Sequence, residues 1–154
     1  MSIRSQKAKD LFLEGYNCAQ AVFCAFNDVT CLDFVTASKL SSSFGGGLGR
    51  LREVCGAVSG MCMVAGILYG PAYPDDRQAK ADHYARIQEL ARRFREENGS
   101  IICRVLLGEK TAQDISSDPV PEIRSAQYYK KRPCAELVES AARIMDEYIK
   151  ENPV

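Results

Sequence analysis

Apolar residues recur at helical spacing along most of the chain. Ala8, Leu11 and Phe12 share a face within residues 4–14, and Gly15 follows as a C-cap. Asn17 is an N-cap for a second helix over 18–27, with Val22, Phe23 and Phe26 on its apolar side. A third, short helix is expected over 30–43 and is stopped by the run Phe44-Gly-Gly-Gly-Leu-Gly49, where consecutive glycines cost too much backbone entropy. A central helix follows from Leu51 or Arg52 to Tyr69, ended by Pro71 and Pro74. Residues 75–98 form the most amphipathic segment, with Tyr84, Ile87, Leu90, Ala91 and Phe94 as its stripe. Gly99 caps that helix, a short one is expected over 101–107, and Gly108 ends it. Residues 109–132 are mixed and loop-prone, and Pro133 opens a last helix to about Lys150. No stretch sustains the alternation of a strand. The pattern therefore predicts an all-α fold, a compact bundle of about six to seven helices in one domain, 1–154, around a central glycine-containing helix.

The uncharged stretch from Val54 to Tyr73 is the one place where a membrane span competes. Its glycines and prolines, and the acidic flanks Glu53 and Asp75-Asp76, favour a buried central helix instead. Gly56 and Gly60, four apart, share one face and let another backbone approach, for core packing or for a homodimer interface.

Charge changes the picture by exclusion. Twenty basic and twenty acidic side chains give a formal charge of +0. With no block of one sign, nucleic acid is not an expected partner. The polar amino terminus lacks the apolar run of a signal peptide, and a cytoplasmic location is expected.

Seven cysteines are unusual for such a chain. An odd count in a reducing compartment leaves metal binding, redox chemistry or small buried hydrophobes as explanations. Their placement sharpens this. Cys18 follows Asn17, Cys103 lies three residues after Ser100, Cys134 follows Pro133, and Cys55 lies near the start of the central helix. Four helices thus begin with a cysteine. Helix starts carry partial positive charge and spare N–H donors, which stabilise a thiolate and lower its pKa. Arg50 and Arg52, Arg104, and Lys130, Lys131 and Arg132 are basic neighbours that add to the effect. If the starts converge, they define a tetrathiolate metal or cluster site or two dithiol pairs.

The remaining features carry less. No CxxC occurs, which removes zinc-ribbon knuckles and thioredoxin-type chemistry, and no CxxCH occurs, which excludes covalent c-type haem. Cys55 and Cys62 are about 10.5 Å apart along an unbroken helix, too far to bridge. Cys24 and Cys62 read as core and as weaker site candidates, and Cys31 as a loop thiol. The turn with Gly45, Gly46 and Gly47 lacks the phosphate-loop pattern, and brings backbone close to the central helix or supplies N–H donors to a sulfur or anion. The single histidine, His83, sits in the most charged helix and reads as a core-edge residue rather than a ligand.

Asn17-Cys18-Ala-Gln-Ala21, the Phe44-Gly-Gly-Gly turn, Cys55-Gly-Ala-Val-Ser-Gly60, Cys103-Arg-Val-Leu-Leu-Gly108 and Cys134 together resemble the C_GCAxxG_C_C family, described as redox-active. The family is defined by four cysteines and a CGAxxG motif, present here as CGAVSG. The resemblance places the family cysteines on Cys18, Cys55, Cys103 and Cys134, and leaves Cys24, Cys31 and Cys62 outside the motif. It implies a redox partner or, since such proteins are encoded near transporters, a transporter component.

Two expectations follow. In the first, the four thiolates bind an iron–sulfur cluster or zinc, or cycle between dithiol and disulfide. In the second, the chain is a transporter-associated accessory or interaction module whose cysteines hold a structural zinc or only pack.

Overall fold

Helices begin where the sequence offers caps. The computed structural model describes residues 2–108 and 116–154. Helix α1, Ile3–Leu13, starts at Ser2, which forms a capping box with Ser5. Helix α2, Cys18–Cys24, starts at Asn17: its side chain accepts from the Gln20 N–H, and the Gln20 side chain accepts from the Asn17 N–H. A single turn, α3 (Asn27–Thr30), ends at Cys31 in the left-handed region, φ 60°. Asp33 then caps α4, Phe34–Ser41, and a 3-10 turn, Ser42–Phe44, leads into the glycine loop.

The central helix α5 covers Gly56–Tyr69, starting later than the expected 51 or 52. The reason lies in the backbone before it. Leu48, Arg50 and Arg52 all have positive φ (71°, 70° and 63°), so the chain coils back on itself through this stretch. It then runs extended beside residues 101–104. The Cys55 N–H donates to the Ile101 carbonyl at 2.8 Å and the Cys103 N–H to the Glu53 carbonyl at 2.6 Å. One antiparallel bridge, Val54 with Ile102, is the sheet-like pairing recorded among the described residues.

Helix α6, Arg77–Asn98, is capped by Asp76 and ends at Gly99 with φ 95°. Helix α7, Cys103–Leu107, and α8, Ala126–Lys131, are short, and α9, Cys134–Glu151, closes the chain from Pro133. The described residues thus hold nine α-helices, more than the six or seven expected. The excess comes from the short helices α3 and α8, too short to show a period; the break at Cys31 delays the helix expected over 30–43 until Phe34. Of the loop-prone stretch expected over 109–132, residues 109–115 lie outside the described residues, and α8 occupies 126–131.

Helices α2, α5 and α9 pack on one another, with α1 against α9 and α2, α4 against α2, and α6 against α5 and α9. Phe23, Phe26, Met61, Val64, Leu90, Phe94, Val138 and Met145 fill the space between them. On α9 the buried positions Leu137, Val138, Ala141, Ala142, Ile144, Met145 and Tyr148 make an apolar stripe. The face of Gly56 and Gly60 is occupied by α2: a Cβ on Gly60 would stand 2.8 Å from the Ala19 carbonyl oxygen and 3.0 Å from Val22 Cβ. That face serves core packing. At 14 residues α5 is about 21 Å long, and among the described residues no helix is long and apolar enough to cross a membrane.

Candidate functional site

Two backbone devices bring the cysteines together. The pairing of 52–55 with 101–104 sets Cys55 and Cys103 side by side at the starts of α5 and α7. The missing side chain of Gly56 admits Cys18. A Cβ there would lie 2.4 Å from Cys18 Sγ and 2.8 Å from the Phe44 carbonyl oxygen. The first turn of α2 therefore lies directly on the first turn of α5. Cys134, first residue of α9, completes the set: Cys18, Cys55, Cys103 and Cys134 line one cavity of about 60 Å³.

The glycine loop closes the cavity from one side. Gly46 is part of its wall. Gly47, at φ +71°, lies so close to α7 that a Cβ would stand 2.7 Å from Cys103 Cβ and 2.6 Å from the Glu53 nitrogen. Gly45 packs on the Asn17 cap, whose Nδ2 donates to the Ser42 carbonyl. The amides of residues 48–53 are spent within the loop, donating to carbonyls of 43–48.

Phe12, Leu106, Leu107 and Leu137 supply apolar wall. The charged residues lining the cavity are Arg52, Arg124 and Arg132, with no carboxylate or histidine among the described lining residues. Arg124 is anchored, donating to the Phe12 and Tyr16 carbonyls and stacking over Phe12 at 4.3 Å and Tyr128 at 5.0 Å. Arg132 is buried, pairs with Glu122 and lies 4.9 Å over the Tyr128 ring. Arg52 is 5% exposed; its Nε donates to the Ser116 carbonyl and its Nη1 lies 3.9 Å from Cys103 Sγ.

Burial dominates the titration of Cys55, Cys103 and Cys134. Cys55 is pushed well above the ordinary thiol value, mainly by burial and then by the neighbouring Cys18, while the Ala57 and Val58 N–H groups at the start of α5 pull the other way. Cys134 is pushed up to about 12 by burial, then by Cys18, with Arg132 opposing. Cys103 is raised by burial against the hydrogen bond and charge of Arg52. The expectation of lowered pKa values is thus corrected for Cys55, Cys103 and Cys134. The helix starts and arginines act in the expected direction, but desolvation outweighs them.

The basic neighbours sort differently from the sequence expectation. Arg104 pairs with Glu53 at 2.8 Å on the surface, away from the thiols. Arg50 donates to the Asp118 carbonyl and lines, with Lys131, Asp118 and Glu122, a neighbouring groove of about 540 Å³ that shares Tyr128 and Arg132 with the cavity. Arg124 and Tyr128 were not legible as site residues, since they lie far from every cysteine but Cys134 in sequence and in a segment without clear periodicity.

The other thiols stand apart. Cys24 is buried in the core, 1% exposed, and Cys62 is partly buried against it. Cys31 is exposed. His83 is partly buried with Nδ1 3.0 Å from Arg86 Nη1, and burial and that guanidinium hold its pKa down. All seven cysteines are free thiols. Burial raises Cys62 to about 11, so its alkylation rate is expected to keep climbing with pH beyond 9, towards that value. At pH 8 Cys31 should be modified first and Cys62, Cys55 and Cys103 far more slowly, as read by peptide mass mapping after timed iodoacetamide treatment. Equal labelling of Cys31 and Cys55 in the folded chain would contradict this burial pattern.

Among the described residues, no group of three or more His, Cys, Asp or Glu side chains is arranged to hold a metal ion. The four thiols line a common cavity.

The family described as "Putative redox-active protein (C_GCAxxG_C_C)" matches residues 16–148. Neither the curated proteins nor the solved structures give a significant match. The family match runs from the residue before the Asn17 cap through most of α9 and includes all four cavity cysteines. The chain belongs to the C_GCAxxG_C_C family.

Proposed function

We propose that this chain is a cytoplasmic redox protein in which Cys18, Cys55, Cys103 and Cys134 act as one set of thiolate ligands for an iron–sulfur cluster. The observation that carries the reading is the convergence of four helix-start cysteines on one cavity whose charged wall groups, among the described residues, are arginines. A set of thiolates around iron has a net negative charge, and buried guanidinium groups offset it.

Three further points support a cluster over the alternatives. Four sulfurs on a single zinc would each stand ~2.3 Å from the ion; here the four thiols line a common cavity with room between its walls. A larger inorganic group separates its ligands more widely. Burial raises Cys55 and Cys134, which makes these thiols weakly nucleophilic near neutral pH and slows exchange with a partner disulfide. Soft sulfur ligands without carboxylate or histidine also fit iron–sulfur chemistry rather than hard cations. The cluster would supply one-electron transfer. The chain supplies the ligands, excludes water with Phe12 and the three leucines, and sets the charge around the sulfurs.

A dithiol–disulfide cycle is the second reading, favoured by one observation: Cys18 adjoins the others closely enough that its charge raises Cys55, Cys103 and Cys134 alike. A reductive titration of protein purified without oxygen, followed by visible absorption and electron paramagnetic resonance, separates the two. A cluster gives a brown protein that bleaches on reduction as a spin signal grows. A colourless, spin-silent protein that takes up two electrons would replace the first reading with the second.

A further inference from the structure

Arg52 is costly where it stands. It is not glycine, yet its backbone is in the left-handed region at φ 63°. Its residue surface is 5% exposed, and no carboxylate pairs with it among the described residues. Nη2 is buried without a hydrogen-bond partner among the described residues. A buried guanidinium in this condition is a strong burden on stability unless something nearby takes the charge.

The local structure holds it there on purpose-built backbone. Its N–H donates to the Gly46 carbonyl, and its carbonyl accepts from the Arg104 N–H at 3.3 Å, at the edge of the pairing that sets Cys55 beside Cys103. The Ser116 carbonyl fixes Nε, Nη1 lies 3.9 Å from Cys103 Sγ in the cavity wall, and Nη2 is buried and unsatisfied among the described residues. The other two cavity arginines have their own anchors, Arg124 on two carbonyls and Arg132 on Glu122.

We propose that Arg52 is the counter-charge of the cysteine site, holding the Cys103 sulfur by an N–H···S contact and raising the reduction potential of whatever redox couple the four cysteines form. The inference rests on the reading that these cysteines are redox-active, but not on whether the couple is a cluster or a disulfide. In either couple the reduced state is the more negative, or the one able to ionise, so a fixed cation beside the sulfur favours reduction. The neighbouring Nη2, buried and unsatisfied among the described residues, is a donor for a second such contact to a thiolate or sulfide. Arg52 touches a ligand sulfur and positions it; it is not itself the group that gains or loses electrons.

The test compares Arg52→Gln, Arg52→Met and Arg52→Lys with the parent chain. The midpoint potential is measured by redox titration, and iron content and thermal melting are recorded alongside. In Gln and Met the redox equilibrium is expected to shift at least tenfold against reduction, ~59 mV for a one-electron couple, with Lys retaining most of the parent value. In metal-free protein the same two neutral variants should alkylate Cys103 several-fold more slowly while Cys31 is unaffected. Met keeps an apolar stem where Gln fails to fold. Potentials in Gln or Met equal to the parent, at equal metal content, would overturn the role of Arg52. Loss of metal from the parent itself would instead overturn the cluster reading and leave the shift to be read on the disulfide couple.

Discussion

Gly56→Ala is expected to destabilise the protein by about 3 kcal/mol and to disturb the cysteine site at the same time. The new Cβ would stand 2.4 Å from Cys18 Sγ, 2.8 Å from the Phe44 carbonyl oxygen and 3.2 Å from the Ala19 nitrogen. Two of these three atoms are backbone and cannot swing away, so α2 must move off α5. Overpacking of that kind costs roughly 1–3 kcal/mol, and the close backbone contact puts this case at the upper end. For a chain of this size that corresponds to a melting temperature lower by ~6–12 °C. Gly66→Ala, in the same helix, serves as the control with opposite sign. Nothing lies within 4 Å of a Cβ there, so replacing a helix-interior glycine should stabilise by about 0.5–1 kcal/mol. Thermal melts of the two variants check both directions. If they behaved alike, helix propensity rather than the approach of Cys18 would explain Gly56.

The second large effect concerns the thiols. Any one of Cys18→Ser, Cys55→Ser, Cys103→Ser or Cys134→Ser should weaken metal retention by ~100-fold or more, about 2.7 kcal/mol. Serine's hydroxyl keeps its proton near neutral pH and is a hard donor, poorly matched to iron in a sulfur environment. Cys31→Ser should leave metal content unchanged, because that thiol is exposed on the turn after α3. Cys24→Ser and Cys62→Ser should act on stability alone. Cys24 is 1% exposed in the core, and Cys62 lies against the core away from the cavity lining. Metal content per chain, measured across the seven single variants, should divide them four against three. A variant set in which Cys24 or Cys62 behaved like Cys18 would redraw the ligand set.

The helical architecture was legible because α1, α2, α6 and α9 each carry a cap and an apolar stripe long enough to show the 3.6-residue period. Asn17, Gly99 and Pro133 mark helix ends in the sequence and mark them in the structure. The start of α5 was not legible. Leu48, Arg50 and Arg52 adopt positive φ, which nothing in their side chains favours; tertiary pairing of 52–55 with 101–104 imposes it. That pairing is a single bridge, too short to produce a strand pattern, yet it is what brings Cys55 beside Cys103.

The four cysteine positions were readable from their placement at helix starts and from the family motif. Their shared cavity was not, because it depends on the unsubstituted faces of Gly47 and Gly56 meeting side chains distant in sequence. The electrostatic expectation failed for a physical reason. Helix dipoles and arginines act over the same few ångströms as desolvation, and sequence carries no measure of how much water the site has lost. Arg124 and Tyr128 entered the site from a segment whose only sequence signals were turn residues.

The most direct test of the account is the iron and zinc content per chain of protein purified under strict exclusion of oxygen, by elemental mass spectrometry. The account predicts several irons per chain and zinc well below one. One zinc per chain with no iron, or neither metal, would contradict it.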